Sequence, residues 1–310
     1  MPAARRLLSD MGLWERFLAE GHAPWYANSA VWGSDEPAEQ DFLADPDGCG
    51  WHLDRHRFDS WLREIAVARG ASLLAPARVR ALVWEDGRWT LDLDGGRCLT
   101  ARLIVDAGGR RAPIARQLGA QLRTDDRLVC GWLHGKATSH NGVTYVEAVE
   151  DGWWYTAPLP ERRRVLAFHT DSDLPAARMA CDPVRLFAGA LQVKALAGEL
   201  AGFTPEPNGG FVAAAGGGVE PPCGPAWLAT GDAALHFDPL SSQGLLNALF
   251  SGLAAAEAAD GALANRSGWR DEYRAVLDGI ERHYRQRLAR LYSDERRWPE
   301  SPFWRRRALR

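Results

Sequence analysis

The sequence predicts an α/β fold: a discontinuous, parallel-sheet domain with an inserted, mostly antiparallel sheet and a C-terminal helix. Residues 231–252 join a strand end, an acid, a polar turn and a helix start, a unit typical of the ligand-binding edge of open α/β sheets. Residues 124–218 contain four successive strand candidates without an intervening helix, which favours antiparallel pairing. A parallel-sheet pattern returns at Trp227, so we expect the first domain to be interrupted by the second.

Residues 1–123 are predicted to form the first part of the parallel-sheet domain. An amphipathic helix is expected over residues 3–20, followed by a polar stretch to about residue 50. Asp54 is an N-cap candidate for a helix within residues 51–71, where apolar residues recur at helical spacing. Short alternating segments between residues 72 and 105 predict a β-meander. A buried strand then ends at Asp106, and a short helix closes at Gly119.

Residues 124–218 are predicted to form the inserted sheet domain. Its strand candidates are residues 128–138, 142–150, 152–160 and 163–171, and a helix is expected over 183–199. Side chains alternate between the two faces of a strand. Trp153 and Tyr155 should therefore share one face of the third strand, with Trp154 on the other. Substrate contact and simple sheet packing both explain these three aromatic residues.

Residues 219–265 are predicted to complete the first domain, and residues 266–310 to form a C-terminal helical segment. Asp232 lies at the carboxyl end of a strand, where an acid can accept hydrogen bonds from ribose hydroxyls. Pro239 and Gly244 bracket a turn. The helix that follows would direct free N–H groups towards a ligand in front of Ser242 and Gln243. An ordinary strand, turn and helix has the same local pattern.

Composition limits the classes of function. The chain has 310 residues, 46% of them hydrophobic, and a net charge of −3, which gives no general signal for nucleic acid or membrane partners. The arginines of the long helix over residues 269–292 are interpreted as a solvated face. Five widely spaced cysteines without a CxxC pair indicate neither a disulfide framework nor a zinc site. We expect a cytoplasmic protein without a metal centre.

Four stretches together resemble the successive signatures of FAD-dependent monooxygenases of the p-hydroxybenzoate hydroxylase-like fold. They are Asp54-Arg55-x-x-Phe58-Asp59 and residues 105–120, 152–160 and 231–244. Within that superfamily, the chain resembles the branch of tryptophan halogenase-like proteins and peptidyl-tryptophan hydroxylases. The resemblance implies a Rossmann-like FAD-binding domain with an inserted substrate domain.

The resemblance assigns roles to individual residues. Arg55 is similar to the arginine near the FAD phosphate and ribose, and Asp106, Gly108 and Gly109 resemble a second nucleotide-contacting turn. Asp232 resembles the acid that binds the flavin-side ribitol or ribose hydroxyls. Residues 239–245 resemble the loop beside the isoalloxazine ring, including Pro239, Ser242, Gln243, Gly244 and Leu245. Backbone donors of Gly244 and Leu245 would stabilise negative charge on the reduced ring. His236 and Pro239 are the catalytic candidates, since His236 could donate a hydrogen bond or shuttle a proton.

The sequence departs from this family in two places. Members begin with a strand, a GxGxxG turn, a helix and a second strand that hold the ADP half of FAD, and nothing like this unit precedes Pro2. The chain therefore resembles a member that is N-terminally truncated or whose start is placed too far downstream. Halogenases of the family have WxWxIP where this chain has residues 153–158 as WWYTAP, and they use a lysine upstream of the Arg55-like helix. Residues 1–54 contain no lysine.

These features favour hydroxylation of an aromatic group, including tryptophan within a peptide, through a flavin C4a-hydroperoxide, and they disfavour halogenation. FAD is the expected cofactor, and NAD(P)H is the expected electron donor, directly or through a flavin reductase partner. The substrate would be an aromatic small molecule or a peptide. Two alternatives stay open: a truncated, non-catalytic binding module of the same fold, and a flavin-dependent reductase of double bonds.

Overall fold

A computed structural model describes residues 4–42, 48–138 and 141–308. Its helices are α1 (Ala4–Asp10), α2 (Trp14–Ala19), α3 (Arg55–Ala68), α4 (Pro113–Gln117), α5 (Ala176–Ala180), α6 (Pro183–Ala190), α7 (Lys194–Glu199), α8 (Gly244–Leu263), α9 (Trp269–Ser293) and α10 (Pro302–Ala308). Short 3₁₀ turns cover Asp94–Gly96, Gly109–Arg111, Gly231–Ala233 and Pro239–Ser241.

The strands are short except in the inserted sheet. They are β1 (Ala23–Trp25), β2 (Ala27–Val31), β3 (Ala38–Asp41), β4 (Gly50–His52), β5 (Val79–Glu85), β6 (Arg88–Leu93), β7 (Cys98–Ala101), β8 (Ile104–Asp106), β9 (Gln121–Thr124), β10 (Leu128–Ala137), β11 (Val143–Val149), β12 (Gly152–Leu159), β13 (Arg163–Asp171), β14 (Phe203–Ala213), β15 (Gly217–Glu220), β16 (Cys223–Gly224), β17 (Trp227–Ala229) and β18 (Leu235–His236).

The inserted sheet is the largest element of the fold. It has seven strands in the order β14-β10-β13-β12-β11-β2-β3, and every pairing within it is antiparallel except that of β11 with β2. Apolar side chains of one face, including Trp154 and Phe168, pack against α5, α6 and α7. The opposite face, including Trp153, packs against Phe303 and Trp304 of α10. The predicted antiparallel sheet is confirmed, and both of its faces are covered.

The parallel part of the fold is small in the described residues. Strands β8 and β17 pair in parallel, with Leu228 opposite Val105, and β16 adds an antiparallel edge. The meander of β5, β6 and β7 packs beside it, where Trp89 donates a hydrogen bond to the carbonyl of Ala226 over 2.7 Å. Helices α8 and α9 complete this core through Ala255, Tyr273 and their neighbours. The α/β fold class is confirmed.

Strands β2 and β3 correct the expected polar stretch of residues 21–50. Ala27–Val31 pairs with Val143–Glu147 of β11, and β3 extends the same sheet beyond it. This part of the predicted first domain therefore belongs to the inserted sheet. Because its pairing partner lies more than a hundred residues away and all four β3 residues are exposed, no local apolar pattern reveals it.

Three further boundaries differ from the expectations. The expected first helix is two helices, since the chain turns at Gly12 with a φ of +66°. The expected helix over residues 183–199 is divided into α6 and α7 by residues 191–193. The expected last strand of the meander is divided into β7 and β8. Within the described part of the chain, no helix has both the length and the apolar character of a membrane span.

Candidate functional site

A cavity of about 520 Å³ opens where the segments around Asp106, Asp232 and the start of α8 meet. That volume is within the range of small-molecule pockets. Eight of the ten predicted cofactor residues line it: Arg55, Gly109, Asp232, Pro239, Ser242, Gln243, Gly244 and Leu245. The fold thus brings together residues that lie up to 190 positions apart in the chain. Their roles towards a ligand stay predictions.

Asp106 and Gly108 are the two predicted cofactor residues outside this lining. Asp106 is buried, and its carboxylate accepts hydrogen bonds of 2.8 Å from the backbone N–H groups of Gly108, Ile114 and Ala115. A side chain at Gly108 would meet Pro113, 2.5 Å from its Cδ. Both residues therefore hold the shape of the turn, which presents Gly109 to the cavity. Their predicted direct contact with the cofactor stays a prediction, and the hydrogen bonds of Asp106 give it a structural role as well.

Asp232 presents a carboxylate to the cavity and pairs with an arginine that sequence reasoning missed. Its Oδ2 lies 3.7 Å from Nε of Arg110. The same guanidinium donates hydrogen bonds to the carbonyls of Ala215, over 2.5 Å, and Phe237, over 2.8 Å. Arg110 thereby joins the turn after β8 to the loop before Pro239. The only signal for Arg110 in the sequence was its position directly after Gly109, within residues 105–120.

The N-terminus of α8 faces the cavity without a side-chain cap. The first N–H groups of a helix have no acceptor within the helix, and together with the helix dipole they favour an electron-rich group. A Cβ added at Gly244 or Gly109 would meet no atom within 4 Å, so both positions face open space. Gly244 and Leu245 both line the cavity, and their contact with a flavin stays a prediction.

Arg55 reaches the same cavity from the start of α3. Asp54 caps this helix by accepting a hydrogen bond from the backbone N–H of Arg57 over 3.0 Å. The guanidinium of Arg55 is largely exposed, and it pairs with Asp59 one turn further along over 3.3 Å. Since an exposed pair of this kind contributes little to stability, Arg55 can turn towards an anionic ligand at small cost.

His236 lies behind the cavity rather than in its lining. Its Nδ1 is 3.1 Å from the carbonyl oxygen of Asp232, and the residue is 4% exposed. Burial, followed by the charge of Arg110, lowers its pKa below the usual value, so the ring is neutral at pH 7. The placement favours support of the Asp232 turn over the predicted proton shuttle. Pro239, the second catalytic candidate, lines the cavity and begins its 3₁₀ turn.

Two of the three aromatic residues of β12 are buried in the structure, and the predicted substrate contacts of all three stay predictions. Trp153 is 1% exposed and stacks on His169 with ring centroids 3.6 Å apart, while Trp154 packs on Phe168 on the opposite face. The alternation of faces is as predicted, but both indoles are core residues in this structure. Tyr155 is half-buried. Leu240, between the cavity-lining residues Pro239 and Ser242, packs against the same hydrophobic cluster as Tyr155, so this cluster extends to the cavity turn.

Comparisons with known proteins relate this site to one group of enzymes. The tryptophan halogenase family model matches residues 34–177. The putative FAD-dependent oxidoreductase LodB of Marinomonas mediterranea is 27% identical over 296 residues, which cover 92% of this chain and 78% of LodB. The flavin-dependent halogenase CmlS superposes with a TM-score of 0.81 at 26% identity, over 99% of this chain and 59% of CmlS.

A third relative acts on tryptophan. The peptidyl tryptophan dihydroxylase QhpG superposes with a TM-score of 0.73 at 25% identity, over 98% of this chain and 68% of QhpG. The chain is therefore similar, in sequence and in fold, to FAD-dependent oxidoreductases, flavin-dependent halogenases and a tryptophan hydroxylase. These proteins include both a halogenase and a hydroxylase, and the chain spans 59% of the length of CmlS.

The residues of the cavity fit the flavin half of FAD. Asp232 offers acceptors for ribityl or ribose hydroxyls, and the uncapped start of α8 offers N–H donors for the electron-rich edge of the ring. Gly109 and Gly244 leave room for close approach, because a Cβ at either position would enter the cavity space. Binding of FAD at this cavity stays a prediction.

Proposed function

We propose that this protein is an FAD-dependent monooxygenase that hydroxylates an aromatic substrate, with a tryptophan side chain in a peptide as one candidate. The supporting observation is the convergence of Asp232, Gly109 and residues 239–245 on one cavity next to the Trp153 face of the large sheet. Bound FAD would supply the redox chemistry, by taking electrons from NAD(P)H or from a flavin reductase and activating dioxygen.

The side chains and backbone N–H groups of the cavity would bind and orient the cofactor. The Asp232 carboxylate would accept hydrogen bonds from cofactor hydroxyls, while Arg110 limits the freedom of that carboxylate by pairing with it. The first N–H groups of α8 would stabilise negative charge on the ring. Packing of Leu240 against the hydrophobic cluster around Trp153 would exclude water from one side of the turn.

Hydroxylation is favoured over halogenation by two features of the chain. Residues 1–54 contain no lysine, and residues 153–158 read WWYTAP rather than WxWxIP. Halogenation stays the second candidate, because the matching family model is that of tryptophan halogenases. A reductase or a non-catalytic binding module would use the same cavity without oxygen incorporation.

A binding titration tests the cofactor site first. We expect the purified protein to bind FAD with a change in flavin fluorescence, and Asp232→Ala to weaken binding roughly 10- to 100-fold, the cost of losing hydrogen bonds to a charged acceptor. Asp260→Asn, an exposed carboxylate of α8, is the matched control. Wild-type protein that binds no FAD would support the binding module, and equal affinity of Asp232→Ala would refute the assigned contact.

Turnover separates the remaining candidates. Oxygen uptake with NADPH or NADH, with and without a flavin reductase, is measured in the presence of tryptophan-containing peptides and of chloride or bromide. Product mass higher by one oxygen atom supports hydroxylation, and halide incorporation supports halogenation. Turnover of an unsaturated substrate without oxygen uptake would support the reductase.

A further inference from the structure

Asp238 organises the turn that carries the cavity residues Pro239, Ser242 and Gln243. Its Oδ1 accepts a hydrogen bond from the N–H of Leu240 over 2.9 Å. Its carbonyl oxygen accepts the hydroxyl of Ser241 over 2.8 Å. The residue is 1% exposed, so no water replaces a lost partner without opening the core. The shape of this turn therefore depends on where the Asp238 side chain is held.

Two tyrosines of α9 hold Asp238 from outside the turn. The hydroxyl of Tyr292 donates to Oδ2 of Asp238 over 2.7 Å, and the backbone N–H of Asp238 donates to the hydroxyl of Tyr284 over 2.9 Å. Tyr284 also stacks on Phe237, with ring centroids 4.0 Å apart and an interplanar angle of 4°. Hydrogen bonds to α9 therefore hold both the side chain and the backbone N–H of Asp238.

A buried arginine continues this contact to the large sheet. Arg307 of α10 lies over the ring of Tyr292, 5.1 Å from its centroid. Its Nη2 donates to Oδ1 of Asp171 over 2.8 Å, and Asp171 is the last residue of β13. Asp171 and Arg307 are 1% and 4% exposed. Buried ion pairs with defined geometry tolerate little displacement. The contacts of Arg307 therefore fix the position of the turn relative to β13, α10 and α9.

Backbone conformation shows that the turn needs such support. Ser242, directly after the 3₁₀ turn, has a φ of +52°. Left-handed conformations of non-glycine residues cost energy and persist where the surroundings determine them. Ser242 also lines the cavity. The strain is thus located at a cofactor-facing position, one short turn away from Asp238.

We propose that Asp238 and Tyr292 are a positioning pair, which sets the cavity turn relative to the large sheet through Arg307 and Asp171. As far as the turn is a flavin contact, this inference rests on the proposed function. Asp238 lines the cavity, whereas Tyr292 and Arg307 lie outside its lining, and the role assigned to the pair is to position the turn. The pair determines where the backbone of residues 239–245 lies between the cavity and the Trp153 face of the large sheet.

Hydrogen exchange of the protein without FAD tests the pair independently of the cofactor. Tyr292→Phe removes one hydroxyl and keeps the ring that Arg307 contacts, and Asp238→Asn changes the acceptor. We expect amides of residues 240–246 to exchange about tenfold faster in both variants. Tyr273→Phe is the matched control, since this buried tyrosine of α9 donates to the carbonyl of Ala229 over 2.5 Å, away from the turn.

The pattern of exchange decides the outcome. Faster exchange confined to the turn in Tyr292→Phe and absent in Tyr273→Phe supports the pair. Unchanged exchange of the turn, or the same acceleration across the whole chain in both tyrosine variants, would overturn it. A second readout is the visible absorbance band of added FAD, which should shift in Tyr292→Phe and not in Tyr273→Phe. If wild-type protein binds no FAD while the exchange result holds, the proposed function fails and the positioning pair stands.

Discussion

Substitution of Asp106 distinguishes a structural acid from a cofactor-contacting acid. Oδ1 accepts one backbone N–H, from Gly108, and Oδ2 accepts two, from Ile114 and Ala115, each over 2.8 Å. An asparagine has one acceptor oxygen and one NH₂ group. Whichever way its amide is placed, Asp106→Asn therefore sets an N–H donor against at least one backbone donor in a buried site.

The structure gives the size of this effect. A hydrogen bond to a charged group contributes about 1.5–3 kcal/mol, and a buried unsatisfied donor has a similar cost. Asp106→Asn keeps two of the three bonds in neutral form at best, so we expect a loss of about 2–4 kcal/mol. At about 2–4 °C per kcal/mol, the melting temperature should fall by roughly 4–16 °C. Asp106→Ala, which removes all three bonds, should be at least as destabilised.

Thermal melts without FAD and FAD titrations of the same samples measure both quantities. Asp278→Asn, an exposed carboxylate on α9, is the control and should leave the melting temperature unchanged. An Asp106→Asn protein that melts like the wild type but binds FAD more weakly would refute the structural role. It would restore the direct contact that the sequence predicted.

Two further predictions concern the same region. Gly108→Ala places a Cβ 2.5 Å from Cδ of Pro113 and should lower the free energy of unfolding, measured in urea, by about 1–3 kcal/mol. The control is Gly279→Ala on α9, which has open space around it and should not be destabilised. Equal stability of the two variants would contradict the clash. Burial, opposed by the charge of Arg307, raises the pKa of Asp238 to about 6. Between pH about 4 and 6, the folded protein therefore keeps a proton on Asp238 that the unfolded chain has released. The stability that this proton contributes is fully present below pH about 4 and is lost as the pH rises to 6. The free energy of unfolding should fall by about 3 kcal/mol over this range. Unfolding in urea at several pH values should show this loss in the wild type and a smaller one in Asp238→Asn; identical pH slopes would contradict it.

Local patterns predicted the elements that depend on local chemistry. Asp54 caps α3 as expected, and the Asp86-Gly87 turn has positive φ at both residues, 49° and 74°, as a two-residue hairpin requires. The unit from Gly231 to Leu245 forms the predicted edge of a cavity. These features follow from residues close in sequence, so a single sequence is enough to find them.

Other features depend on contacts between distant residues. An acidic residue after a strand gives the same sequence pattern in two different situations. It can face a cavity, as Asp232 does, or accept hydrogen bonds from backbone N–H groups, as Asp106 does. The burial of Trp153 depends on α10, which lies about 150 residues further along the chain. Arg110 acquires its function only when Ala215 and Phe237 are brought to it. No local pattern contains this information.

The parallel pairing of β2 with β11 has a consequence for how the protein is made. A ribosome that adds residues from the N-terminus releases Ala27–Val31 well before its partner Val143–Glu147 exists. Likewise β8 waits for β17, more than a hundred residues later. Non-local pairings slow folding and leave strand edges open in the meantime. Until β11, β17 and α10 have emerged, β2 and β8 therefore lack these partners, and one face of the large sheet lacks the packing of Phe303 and Trp304.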